Sequence, residues 1–295
     1  MNHSPSLADL SLLTCTVPVF RPGRDDDPVL AGSWDDIPSA AGYEVAARLA
    51  TAGFALIQAS QVPGPAAARQ FASQLGLGPA FTPPQYRDSP HVDGQGVTRI
   101  STEAGASHPA FGQATGQHLH SDGTLQRIGE IKTTMMLCAR PAASGGTSQL
   151  FNAAGAFALL LHQDPAAAAA LTAPDVLIRT SALPGSRGQF TAGPAFAVAD
   201  GRVISRYSVT STDSYDHDAV ADPAALDRAL DFLRDAAQPG SPCYTELTLA
   251  AGQGLLLAND LISHGRTAYH DDPAAPRLIL RALFTHRCLI TEQAA

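Results

Sequence analysis

The chain has 295 residues and a mass of 30.6 kDa, a length that suits one large domain or two smaller ones. With 45% hydrophobic and 16% charged residues it can bury a large core, which excludes a disordered or fibrous chain. Nineteen basic residues stand against 27 acidic ones, a net charge of −8, so no basic field exists to draw a nucleic-acid backbone or an anionic membrane, and neither is expected as a partner.

The N-terminal stretch MNHSPSLADLSLL has no basic segment leading into a long apolar run, and no membrane-length run of uncharged apolar residues follows it. A soluble, cytoplasmic protein is expected. Pro38 to Ala50 carries apolar residues at helical spacing and leads into Phe54-Ala55-Leu56-Ile57, which reads as a buried strand. A second helix is predicted from Pro65 to about Leu75, with proline in the first turn, where a missing N–H costs nothing. Gly78 to Gly116 is rich in Pro, Gly, Ser and Thr and reads as a long loop placed as a lid over a site. Beyond it the chain reads as antiparallel sheet with helical insertions. Ile131 to Cys138 is a strand, Ala153 to His162 a helix stopped by Pro165, and AFAVADGRVISRYS two strands joined at Asp200-Gly201. Asp222-Pro223 is an N-cap and first-turn pair for a helix to about Ala237. The runs LTLAAGQGLLLAND and RLILRALF close the chain. Cys15, Cys138, Cys243 and Cys288 lie far apart without a CxxC pair, so they read as reduced thiols.

Ten histidines pose the question of which carry chemistry. Two His and one carboxylate on one face of an octahedral iron leave three positions open for a chelating cosubstrate and for oxygen. In sequence this takes the form His-x-Asp followed much later by a lone His, and four such pairs occur. His91/Asp93 reads as a solvated turn before Gly94. His162/Asp164 ends an apolar helix, and His270/Asp272 has only His286 after it. His120/Asp122 differs, because GQHLHSDGT enters from a glycine-rich loop and precedes a strand. In an extended segment His118, His120 and Asp122 share one face. The same geometry permits a cupin-like pair of His118 and His120, which would want a Glu soon after, and positions 123–128, GTLQRI, have none.

Around this pair the chain resembles the Fe(II)- and 2-oxoglutarate-dependent oxygenases of the taurine dioxygenase and clavaminate synthase type. That pattern has His-x-Asp/Glu, a later Thr, a distal His and an Arg soon after it. Thr147, in SGGTSQLFN, stands 25 residues after Asp122. His264 lies in LLLANDLISHGR with Asn259 at the family's Asn position, Arg277 is 13 residues further on, and Arg281 follows four later. The offset that leads from Asp122 to Thr147 leads from Asp93 to His118 and from Asp164 to Gln189, and from Asp272 it runs off the end. The resemblance spans about residues 115–290, with a fainter match in the first helix and the FALIQ strand.

The resemblance implies a double-stranded β-helix, a jelly-roll that is mainly β with flanking helices. It implies one catalytic domain over 1–295, in which 1–114 pack helices, a strand and the lid-like loop on a core at 115–290 with an insertion at about 152–240. It implies His120, Asp122 and His264 as ligands of Fe(II), with 2-oxoglutarate and oxygen as cosubstrates. Thr147 and Arg277 would hold the distal carboxylate of 2-oxoglutarate, and Arg281 would face its other carboxylate or an acidic group of the substrate. As a strand, RLILRALF puts Arg277, Ile279 and Arg281 on one face with the arginines roughly 13 Å apart. Guanidinium binds carboxylates bidentately, which Lys cannot reproduce. Asp122, where a halogenating relative would need a small residue, argues for oxygen chemistry. The implied reaction is hydroxylation, desaturation or a related oxidation of a small molecule, an amino acid or natural-product intermediate, releasing succinate and carbon dioxide. Gln117, Gln126 and Arg127 flank the metal motif as supporting residues. Asp213, Asp216, His217 and Asp218 offer acidic contacts to a cationic substrate group, against the plainer reading of a polar loop before the next helix. A cupin-like metal enzyme that uses His118 and no 2-oxoglutarate, and a non-catalytic jelly-roll binding protein, are the alternatives. A homo-oligomer is compatible with the sequence.

Overall fold

The computed structural model describes residue 20 and residues 25–104 and 111–288. The MNHSPSLADLSLL stretch, Cys15 and part of the Gly78 to Gly116 loop fall outside these. In chain order the elements are β1 (Val29–Gly32), α1 (Ser39–Thr51), β2 (Phe54–Ala59), α2 (Pro65–Gln74), β3 (Thr98–Ile100), β4 (Gln117–His120), β5 (Thr133–Arg140), β6 (Ser144–Gly145) and β7 (Ser148–Asn152). Then come α3 (Ala153–Gln163), α4 (Pro165–Ala170), β8 (Leu177–Thr180), β9 (Phe190–Gly193), β10 (Phe196–Ala199), β11 (Arg202–Ser205), β12 (Asp213–Tyr215) and α5 (Pro223–Ala236). The chain closes with β13 (Tyr244–Leu247), β14 (Gln253–Ala258), β15 (Ile262–Arg266), β16 (Tyr269–His270) and β17 (Leu278–Phe284).

Two sheets make the jelly-roll. The larger runs β1-β2-β14-β5-β17-β3, antiparallel except for the β1–β2 pair, and the smaller runs β13-β7-β15-β4. The double-stranded β-helix expected from the sequence is the fold found. Side chains alternate across the larger sheet with the period of two that strands impose. Ala55, Ile57, Leu137, Leu256, Leu280 and Ala282 face outward, against α1, α2 and Trp34, whose ring meets Phe71 edge-on at 5.0 Å. Phe54, Leu56, Leu255, Leu257 and Ile279 face inward and join the core that continues into β7 and α3. Each such fully buried side chain contributes about 1.5–3 kcal/mol. Strand β2 is hydrogen-bonded to β14, so the N-terminal segment and the C-terminal strands share one ladder.

Local signals act where they were read. Asp222 accepts from the Ala225 N–H as the cap of α5, with Pro223 in the first turn. Asp200 and Gly201 take φ of 52° and 71°, the left-handed pair that a tight hairpin between β10 and β11 needs. Helix α3 is apolar on nearly every side and is accordingly buried nearly all round.

Two expectations change. The segment between β7 and β13 is not chiefly helical: it also holds β8, β9 and β12, a three-stranded sheet of short strands whose mixed polarity hides their period. His91 is no solvated turn residue, since it is 1% exposed, with Nδ1 3.3 Å from the Arg99 carbonyl and its ring against Phe111. Asp93 does form the turn, accepting from the N–H groups of Gln95 and Val97. Among the described residues no helix is long and apolar enough to cross a membrane.

Candidate active site

Strands β4 and β15 are antiparallel neighbours in the smaller sheet, and His120 stands directly opposite His264 in their ladder. Their rings lie 4.6 Å apart. The next pair along is Arg266 with Gln117, so His118 and Leu119 oppose Gly265 alone, which is a β-bulge. A Cβ on Gly265 would come within 2.7 Å of the Gln117 carbonyl, so the close approach of the strands requires glycine here. The bulge also breaks the alternation that placed His118 beside His120. His118 is exposed and is not among the clustered ligand atoms, which sets aside the His118–His120 reading. Its contribution is its carbonyl, which accepts from His120 Nδ1 at 2.8 Å and fixes that ring.

Asp122 lies just past β4, and its main chain is clamped by Asn259. The Asp122 N–H donates to Asn259 Oδ1 at 2.8 Å, while Asn259 Nδ2 donates to the carbonyls of Asp122 and Ile131 at 3.2 and 3.0 Å. Its carboxylate accepts from Thr134 Oγ1 at 2.8 Å and from Arg281 Nη1 at 2.7 Å, and lies 3.7 Å from His264 Nε2. Ligand atoms of His120, Asp122 and His264 all fall within 4.8 Å of one another, the one such group among the described residues. Burial, reinforced by the neighbouring His120, pushes His264 down to about 3, and burial lowers His120 against the pull of Asp122. Burial alone would raise Asp122, but Arg281, His264, His120 and the Thr134 hydroxyl hold its carboxyl well below the usual range. Two neutral imidazoles and a carboxylate that stays charged form a donor set suited to Fe(II).

Two cavities meet at this triad. The smaller, about 40 Å³, is lined by His120, Ser148, His264, Arg266, Arg277 and Arg281 among others. Arg266 and Arg277 both lie over the Tyr269 ring, at 4.8 and 5.1 Å. Burial lowers Arg277 and pushes Arg266 down to about 10. Arg277 Nη1 and the Nε atoms of Arg266 and Arg281 are buried and have no hydrogen-bond partner among the described residues. Buried cationic donors without acceptors are costly, so this cavity fits a ligand that brings carboxylates. Arg281 in β17 and Arg277, immediately before its first residue, both reach it, as the alternation predicts. The Thr147 hydroxyl does not: it bonds Thr248 Oγ1 at 2.9 Å, and its neighbour Ser148, on the other side of the pleat, lines the cavity.

The larger cavity, about 260 Å³, shares Phe111, Gln117, His120 and Arg281 with the smaller one. Its far wall comes from β8 and the loop before β12, through Arg179, Thr180, Ser181, Thr210 and Thr212. Tyr86 and Phe111, packed edge-on at 5.2 Å, bring the Gly78 to Gly116 loop over it. Arg281 lies over the Phe111 ring at 4.7 Å. The suggested acidic contacts do not reach this cavity. Asp213 is held by Arg179, Ser208 and Thr210, Asp216 caps its own turn by accepting from the Asp218 N–H, and His217 pairs with Asp227 at 2.8 Å. Of the flanking polar residues, Gln117 lines both cavities, Gln126 is buried beside Gly123, and Arg127 is exposed. A still larger hollow of about 680 Å³ lies on the outward face of the larger sheet, where Arg69 is paired with Asp93, and it touches none of the triad.

Four residues gain roles that sequence reasoning did not assign. Asn259 and Arg266 stood inside the LLLANDLISHGR segment, where a role could have been asked of them. Thr134 and Arg179 act from other strands, and nothing in their own neighbourhoods signals it.

Residues 29–283 match the family described as Taurine catabolism dioxygenase TauD, TfdA family. A uridine-5'-phosphate dioxygenase of an Amycolatopsis species is 40% identical over 270 residues, covering 90% of this chain and 94% of that protein. A protein of the same name from a Streptomyces species is 38% identical over 244 residues, covering 81% and 87%. Among solved structures, an asparagine oxygenase in complex with Fe(II), 2S,3S-3-hydroxyasparagine and succinate shares the fold, with a TM-score of 0.61 at 16% identity over 95% of this chain and 91% of that one.

Proposed function

We propose that this chain, which belongs to the taurine catabolism dioxygenase TauD, TfdA family, oxidises a nucleoside 5′-monophosphate, uridine 5′-phosphate or a near analogue. As a member of that family it is an Fe(II)- and 2-oxoglutarate-dependent dioxygenase that acts on a small molecule and releases succinate and carbon dioxide. A metal enzyme without 2-oxoglutarate and a binding protein without turnover are not favoured. The observation that carries the nucleotide reading is the 40% identity, over nearly the whole of both chains, to a dioxygenase named for uridine 5′-phosphate. The larger cavity supports it, because guanidinium and hydroxyl groups line its far wall where an amino-acid substrate would want a carboxylate.

In this reading His120, Asp122 and His264 hold Fe(II), which when bound supplies the oxygen activation coupled to oxidative decarboxylation of 2-oxoglutarate. Asn259 and Thr134 fix the position of Asp122, and the His118 carbonyl fixes the His120 ring. Arg277 anchors the distal carboxylate of 2-oxoglutarate over Tyr269, with Ser148 rather than Thr147 beside it. Arg281 orients the other end of the cosubstrate and keeps Asp122 ionised. Tyr86 and Phe111 exclude water from above. We assign these functions to a single catalytic domain, since the β2–β14 ladder ties the N-terminal segment to the core. The cytoplasm is the proposed compartment: nucleoside monophosphates and 2-oxoglutarate are intracellular metabolites, and Cys138 and Cys243 are buried free thiols.

Incubation with Fe(II), 2-oxoglutarate, oxygen and one candidate substrate at a time tests this. Succinate formation should be stimulated by uridine 5′-phosphate, with a matching oxidised product by mass spectrometry, and not by taurine or asparagine. Stimulation by an amino acid and not by any nucleotide would overturn the substrate class.

A further inference from the structure

We propose that Arg179 recognises the phosphate of the substrate and is the specificity-determining residue of the larger cavity. The inference rests on the nucleotide reading above. Arg179 sits on β8, is 2% exposed, and lines the cavity. The other guanidinium there, Arg281, is engaged by Asp122 and serves the cosubstrate side. Arg179 Nη1 donates to the Ser121 carbonyl at 3.0 Å, the residue between His120 and Asp122, so an anion held at Arg179 lies beside the metal loop.

The charge on this wall is out of balance. Arg206 is buried close enough to Arg179 for mutual repulsion, and its hydrogen bonds go to the carbonyls of Thr124 and Thr191 rather than to a carboxylate. Asp213 faces both guanidiniums, but it contacts Arg179 only through Nε at 3.3 Å and also accepts from Ser208 and Thr210. Two desolvated guanidiniums against one shared carboxylate leave a positive surplus, which a bound dianion would neutralise. Thr180 and Ser211 on the same wall carry hydroxyls of the kind phosphate oxygens accept from, while those of Ser181 and Thr212 bond Ser186 and Thr210. A neutral nucleoside would leave the surplus unmet, and an ammonium group would add to it.

The test measures binding of uridine 5′-phosphate and of uridine, without oxygen, to protein loaded with Fe(II) and 2-oxoglutarate. The visible absorption of the 2-oxoglutarate complex serves as a control for an intact site. Wild-type protein should prefer the phosphate. Arg179→Gln should lose about 10- to 100-fold in affinity for uridine 5′-phosphate, while uridine binding and the absorption band hold. Asp213→Asn, which leaves Arg179 in place, should keep the preference. Retention of the preference in Arg179→Gln, or parallel loss of both ligands in Arg179→Gln and Asp213→Asn, would overturn the assignment by showing the pair to be structural. Should Arg179→Gln not fold, Arg179→Lys decides. A point charge without the fork should weaken uridine 5′-phosphate about tenfold and spare uridine, and unchanged affinity would count against the proposal. Wild-type protein that binds no nucleotide at all would instead remove the functional reading, and this inference with it.

Discussion

The two cavities that meet at His120, Asp122 and His264 are built from different material. The smaller draws its key walls from β15, β17 and the start of β7, strands in the two main sheets whose ladders fix each side chain. The larger takes its far wall from short strands and loops of the segment between β7 and β13, and its roof from the Gly78 to Gly116 loop. A cosubstrate common to a whole family can be held by a rigid ladder, whereas a substrate that varies is met by segments free to change without disturbing the sheets. Arginine serves both sides. Arg277 lines the smaller cavity with an Nη1 that has no partner among the described residues, while Arg179 in the larger shares a carboxylate with Arg206.

The most damaging change strikes the triad at which the two cavities meet. Asp122→Ala should abolish metal retention and reduce turnover by on the order of a thousandfold or more, also leaving Arg281 buried without its carboxylate; coupled turnover near wild type would break the assignment of the triad. Arg277→Ala should separate the cavities, raising the 2-oxoglutarate requirement on the order of a hundredfold while metal and nucleotide binding stay close to wild type. Equal loss of all three would mean that the cavities are not distinct. Asn259→Ala should cost about 2–4 kcal/mol in denaturant unfolding and weaken metal binding about 10- to 100-fold, because three hydrogen bonds around Asp122 are lost.

Acid should also act through the shared triad. His264 stays neutral in the folded protein down to about pH 3, whereas in the unfolded chain it takes a proton near its ordinary value. The unfolded state therefore binds more protons below about pH 6.5, and metal-free protein should lose up to about 1.4 kcal/mol per pH unit through His264 as pH falls from there toward 3. A flat stability profile in urea melts from pH 7 to pH 4 would contradict the buried neutral pair. The smallest effect sharpens the wall of the smaller cavity. Ser148→Ala should raise the 2-oxoglutarate requirement a few-fold, by about 1 kcal/mol, and Thr147→Ala less, since its hydroxyl bonds Thr248; the reverse order would restore Thr147 as the anchor.

Much of this was legible in the chain. The helix begun by Asp222-Pro223, the hairpin at Asp200-Gly201 and the alternation that brings Arg277 and Arg281 to the same cavity depend on neighbours in sequence, and each appears where its residues predicted it. The spacing of His120, Asp122 and His264 named the residues that cluster. His118, Thr147 and His91 came out differently because each depends on a second segment. A bulge opposite Gly265 leaves His118 exposed and outside the cluster, Thr248 captures the Thr147 hydroxyl, and Phe111 and the Arg99 carbonyl bury His91.

By itself, then, the sequence determined most of the regular elements, the jelly-roll and the three residues that cluster, because periodicity and motif spacing are read along the chain alone. Only the tertiary structure decided which polar groups serve that site from outside the motif. Asn259 reaches Asp122 across 137 positions, and Arg179 reaches Ser121 across 58. A buried charge or hydrogen bond is set by whichever group the fold brings within about 3 Å, and no local pattern along the chain records that partner.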